Sequence, residues 1–288
     1  MAPKPPLGRG LIDFLAEPNV HWPIFESITS QLDVCDFIKL RRVSKSLSNV
    51  YETVQKSQWN INEALTKSVK DPPALRSKLG QASGVISGQF ALKFLDRHVV
   101  GDRLDVFVHG RMEGMANVEF MAWAIEREGY AVTRSYSHDE ERSKGTVEDK
   151  QYKTDVYQRP GSNSPSIYLQ HTRETPIVNL LSTGCQGTIA LSNFITPNKV
   201  YAPFAKETFY EHRAYLHGPL KDDFGEYLKA VAKTGRRILG IRWKDQHKSP
   251  HKMRKLTDGH MWSMALDSTN VAAPVTPSFV TDATTFKF

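Results

Sequence analysis

The chain has 288 residues, 38 Lys or Arg against 31 Asp or Glu, and a formal net charge of +7. Hydrophobic residues make up 40% of it, enough for a substantial core in one or two domains. No apolar run reaches the length a bilayer requires, roughly 18–20 residues, and two cysteines, Cys35 and Cys185, exclude a disulfide framework and Cys-rich zinc modules.

In chain order, residues 1–18 read as a Pro-rich arm, disordered or extended. They lack a long apolar core before a small-residue cleavage site, so no secretory leader is expected. With so little cysteine, a reducing location, cytoplasmic or nuclear, is the expectation. Over 19–68, Ile24, Ile28 and Leu32, then Phe37, Leu40, Val43 and Leu47, recur at spacings of three and four. That periodicity predicts two short amphipathic helices, with Asp33 and Asp36 placed to cap the second. "VKDPPAL" then reads as a linker.

A mixed α+β (α/β) texture follows over 75–245. "GVISGQFALKFLDR" reads as a turn into a helix and "DRLDVFVHG" as a strand. "NVEFMAWAIEREGY" is a helix closed by Gly129, and "AVTRSYS" is another strand. "HDEERSKGTVEDKQ" is a charged loop, and "KTDVYQR" and "SIYLQHT" form a hairpin. "TPIVNLLSTGCQGTIALSNFI" and "FGEYLKAVAKTGRRILGI" are both read as helices, and 246–288 as a basic, low-complexity tail.

The stretch "WPIFESITSQLDVCDFIKLRRVSKSLSNV" resembles the F-box: a Pro opening the first helix, an "LD" junction and a basic-apolar "KLRRVSKSL" helix. Trp22-Pro23-Ile24 departs from that family's Leu-Pro-acidic opening. The resemblance implies that Pro23, Ile24, Ile28, Leu32, Leu40 and Val43 contact a Skp-type adaptor of a cullin ubiquitin ligase. Two short helices cannot bury an apolar face alone, so they need another surface.

Residues 83–216 resemble fungal proteins with a nucleotidyltransferase-like fold, on "SGQFALKFLDR", "DRLDVFV" and "TPIVNLLSTGCQGTIALSNFITPNKVYAPFAKET". Intact members carry Gly-Ser at the turn and Asp-hydrophobic-Asp on the strand. Side chains two apart on a strand share a face, so such a pair can hold Mg²⁺. Here Gly88 is followed by Gln89, and Arg103 stands where the first Asp would be, with Asp105 in the second place. A guanidinium beside Asp105 opposes a cation there. Metal-dependent nucleotidyl transfer is therefore expected to be lost, with no catalytic residue, metal or cofactor. What remains is a polar pocket or a filled groove at Gly88, Gln89, Arg103 and Asp105. The chain then reads as a non-catalytic recognition or adaptor protein, a pseudoenzyme.

Two alternatives stay open. A working transferase would need Mg²⁺ and a nucleoside triphosphate held by Asp102, Asp105 and Asp155, with a bulge turning Asp102 inward. A nucleic-acid binder would use the basic stretch with Arg236, Arg237, Arg242, Trp243 and Lys244, where cations interleave with an aromatic. His247, His251 and His260 lack the partners of a zinc set. Cys185 reads as a small packed side chain rather than a nucleophile.

Overall fold

The computed structural model describes residues 10–110, 117–138, 152–172, 174–182, 187–217, 224–240 and 253–287. The protein is α+β, and its chain divides after Asn60 into two compact units.

The first unit is helical: α1 (Leu11–Ala16), α2 (Trp22–Thr29), α3 (Val34–Val43), a 3₁₀ turn (Lys45–Leu47) and α4 (Val50–Gln58). Pro23 lies in the first turn of α2, where a missing N–H costs nothing. Asp33 caps α3 by accepting from the Asp36 N–H (2.9 Å), and the Asp36 carboxylate accepts from the Asp33 N–H (3.2 Å). The expected cap is thus Asp33, while Asp36 sits three residues on and completes a reciprocal box. Phe25, Val34, Phe37, Leu47, Val50, Val54 and Trp59 are buried, with Phe37 and Trp59 edge to face at 6.3 Å.

The second unit begins with α5 (Ile61–Leu65) and α6 (Pro72–Gln81). "VKDPPAL" does not separate domains. Asp71 accepts from the Ala74 N–H (3.0 Å) and Pro72 opens the helix, so the prolines start α6 rather than interrupt the chain. Next come β1 (Val85–Ser87), α7 (Gly88–Leu95), β2 (Arg103–His109), α8 (Asn117–Arg127) and β3 (Ala131–His138). Gly129, after α8, takes a left-handed φ of 88°, the conformation that ends helices most readily at glycine. The expected hairpin is β4 (Tyr152–Gln158) against β5 (Ser166–Thr172), antiparallel.

Beyond it lie α9 (Pro176–Ser182), a 3₁₀ turn (Ile189–Leu191), β6 (Phe194–Ile195), β7 (Lys199–Ala202), β8 (Arg213–Tyr215), α10 (Phe224–Ala232) and β9 (Arg237–Leu239). The two long helices read in this region are thus shorter. The first gives way to the turn and β6, and the second ends before β9.

One eight-stranded mixed sheet runs β11 (Trp262–Ala265), β7, β6, β1, β2, β5, β4, β3, with β2 and β5 parallel. A cluster including Val85, Phe107, Leu181, Phe194, Tyr201, Phe204 and Phe286 packs at one face of it. Helix α8 packs against β2 and β5.

The C-terminal stretch is folded where it is described. Strand β10 (Met253–Lys255) pairs with β12 (Thr285–Lys287), and β11 (Trp262–Ala265) extends the main sheet from β7. Between β11 and β12, a one-turn helix (Ser278–Asp282) brings Asp282 to the Lys199 ammonium (2.9 Å) and the Tyr201 hydroxyl (2.8 Å). Leu256, Met264, Leu266 and Phe286 are buried. A Ser/Thr/Pro-rich composition concealed this, because none of these strands buries more than one described side chain.

Candidate functional site

The turn from β1 into α7 needs Gly88, whose φ is 72°, and Ser87 stands directly opposite Asp105 on β2. The Gly88 turn and the Asp105 strand position are therefore adjacent, and Gln89, half-buried, follows in the first turn of α7. Ser87 donates its hydroxyl to the Asn193 carbonyl (2.7 Å).

At Asp105 the arrangement is closed. The carboxylate is fully buried and takes Arg103 Nε at 2.9 Å to each oxygen and Nη2 at 2.6 Å. Gln170 Nε2 adds a third donor at 2.8 Å. The guanidinium is stacked on Tyr168, 3.6 Å from the ring centroid. A cation at Asp105 would have to displace a charge already hydrogen-bonded and stacked. Sequence reasoning found Arg103 and Asp105 by their two-residue spacing. It missed Gln170 and Tyr168, because the parallel pairing of β2 with β5 is not legible locally.

The three carboxylates of the transferase alternative are not brought together. Asp102 is exposed, just before β2, and no bulge turns it inward; its main-chain carbonyl accepts from the Ser166 N–H (2.9 Å). Asp155 pairs with Leu169, which pairs with Val106. Paired residues share a face and neighbours alternate, so Asp155 faces away from Asp105. Among the described residues, no three His, Cys, Asp or Glu side chains gather as a metal would require.

Asp155 instead belongs to a pocket on the other face. An open pocket of about 480 Å³ is lined by Gly110, by Val118, Glu119 and Ala122 of α8, and by β3–β5 residues including Val132 and Tyr157. Asp155 accepts from Ser135 Oγ (2.5 Å) and Lys153 Nζ (2.9 Å), and lies 3.0 Å from His171 Nε2. Burial pushes the Asp155 carboxyl upward, but Ser135, Lys153 and His171 together outweigh it and hold it below its ordinary range. Burial lowers the His171 imidazole, with Asp155 opposing. Burial, aided by Asp155 and Glu126, pushes the Tyr157 phenol up to about 12. One signal for this pocket was in the sequence: Lys153, Asp155 and Tyr157 alternate along β4.

In the helical unit, Pro23, Ile24 and Val43 are exposed, Val43 to 68%, while Ile28, Leu32 and Leu40 are half-buried. Of the basic set, Arg236 is buried. It binds both Asp96 oxygens (2.7 and 2.8 Å) and the Thr208 carbonyl (2.9 Å), so its guanidinium is committed to the protein interior. Arg237 is exposed on β9. Arg242, Trp243, Lys244, His247, His251 and Cys185 lie outside the described residues. His260 is exposed, and its main-chain N–H donates to Asp258 (3.0 Å).

No model of a known protein family matches the sequence, and no curated protein matches it. Among the described residues, no helix is long and apolar enough to cross a membrane.

Proposed function

We propose that this chain is a non-catalytic recognition protein of the cytoplasm or nucleus. In this reading its second unit is a nucleotidyltransferase-like domain whose cation position is filled by its own Arg103. The observation that carries it is the guanidinium bonded to both oxygens of the buried Asp105. A transferase of this type needs that carboxylate free to share Mg²⁺ with a neighbour on the same face, and Asp155, the remaining strand carboxylate, faces away. The helical unit supplies the partner-binding element: Pro23, Ile24 and Val43 present apolar surface, while Phe25, Phe37 and Leu47 fill the interior. Exposed apolar side chains on short helices favour a helix-docking partner, and the F-box resemblance suggests a Skp-type adaptor.

Calorimetry with nucleoside triphosphates, with and without Mg²⁺ or Mn²⁺, tests the first half. Wild type is expected not to bind, and Arg103→Asp with Gln89→Ser is expected to bind only with metal. Metal-dependent binding by wild type would overturn the reading. Titration of a purified Skp-type adaptor tests the second half, and an absence of binding would remove the adaptor role.

A further inference from the structure

The pocket at Asp155 lies on the sheet face opposite Asp105, and the proposal above does not use it. Three properties define what it accepts. Its volume, about 480 Å³, lies within the range of small-molecule sites, roughly 300–1,000 Å³. Its apolar lining is small: Val118 and Ala122 from the helix and Val132 from the sheet, with Gly110 at the end of β2. Small side chains between a helix and a sheet leave a slot rather than a filled core.

The polar lining is mixed. Tyr157 is 98% buried (2% exposed), yet its hydroxyl makes no hydrogen bond among the described residues. That oxygen is not one of the fully enclosed polar atoms left without a partner, so it is reachable from the slot and can donate there. His171 in its neutral form donates from Nε2 to Asp155, which leaves Nδ1 as an acceptor. The slot thus offers a donor at Tyr157 and an acceptor at His171.

Charge then narrows the ligand. Lys153 balances Asp155, and Glu119 adds a second carboxylate. The one uncompensated charge of the lining is therefore the Glu119 carboxylate, which opposes a phosphate and favours a ligand without negative charge.

We propose that this pocket binds an uncharged heterocycle with an apolar body and a donor–acceptor edge, the chemistry of a nucleobase or nucleoside. Tyr157 donates to the ligand's acceptor, His171 Nδ1 accepts from its donor, and Val118, Ala122 and Val132 enclose the ring.

The test is calorimetry of the full chain with adenosine, guanosine, cytidine and uridine at millimolar concentration, alongside their 5′-monophosphates. At least one nucleoside is expected to bind, about tenfold or more tighter than its monophosphate. Tyr157→Phe is expected to weaken that nucleoside about five- to tenfold, with no loss of thermal stability, because the deleted hydroxyl has no protein partner. Ala122→Leu, which fills the slot, is expected to abolish binding. The inference fails if no nucleoside binds, if monophosphates bind as well as nucleosides, or if both variants bind like wild type. The triphosphate titration reads the sheet face of Asp105 and the nucleoside titration the face of Asp155, so the two results stand or fall separately.

Discussion

Arg103 reaches along its own strand to Asp105, two residues on, and holds both carboxylate oxygens while its other face rests on Tyr168. Strand geometry makes the pairing local: residues two apart share a face, and a long cationic side chain spans the gap. The same geometry would bring two aspartates together around a metal. One residue type at one position therefore separates a cation site from an internal ion pair.

Arg103→Met is expected to destabilise the protein by about 3 kcal/mol, because it leaves a buried carboxylate with Gln170 as its one side-chain partner among the described residues. Arg103→Met with Asp105→Leu is expected to recover most of that loss, since replacing both charges removes the desolvation cost as well as the attraction. Urea unfolding of the two single variants and the double variant measures the coupling. A double variant no more stable than Arg103→Met would show that the pair does more than neutralise itself.

Arg236 gives a prediction of the opposite kind. Its guanidinium is buried against Asp96 and the Thr208 carbonyl, so Arg236→Met is expected to cost about 3 kcal/mol. Any affinity of the chain for RNA is expected to keep its salt dependence in that variant, because a buried Arg neutralises no phosphate. Fluorescence anisotropy across a salt series checks this.

His171 links the pocket to acid stability. Its imidazole is held below the ordinary value by burial, so below about pH 6.5 the unfolded chain takes up a proton that the folded chain resists. Stability is expected to fall as pH drops through this range. His171→Gln is expected to remove that slope. Asp155, held below its usual range, contributes stability that is present above about pH 4 and lost only as pH falls further. Chemical denaturation between pH 7 and 3 distinguishes the two steps.

Ile24→Glu with Val43→Glu is expected to leave the unfolding midpoint within about 0.5 kcal/mol of wild type, because both side chains are exposed. Adaptor binding is expected to be lost in the same variant. Phe25→Ala, by contrast, is expected to cost about 3 kcal/mol through a core cavity. Circular dichroism melts beside adaptor titrations separate the two effects.

Much of the local structure was legible in the sequence. The Asp33–Asp36 capping box, the Gly88 turn, the Gly129 helix end, the β4–β5 hairpin and the Arg103–Asp105 pair all depend on residues close in the chain. Their hydrogen bonds and alternation are decided within a few positions. The prolines at 72 and 73 misled because a residue that breaks a helix from inside also starts one at its first turn.

What the sequence determined by itself, then, was the run of elements from β1 to β5, the helical first unit, the α+β class and the presence of a guanidinium where a second carboxylate would be needed. The tertiary structure alone decided which face each strand residue occupies. It put Asp155 behind Asp105 rather than beside it, gave Asp105 its Gln170 partner, buried Arg236, and added β11 to the sheet. The physical reason is register: alternation orders side chains within one strand, but only the pairing between distant strands says which alternating set shares a face.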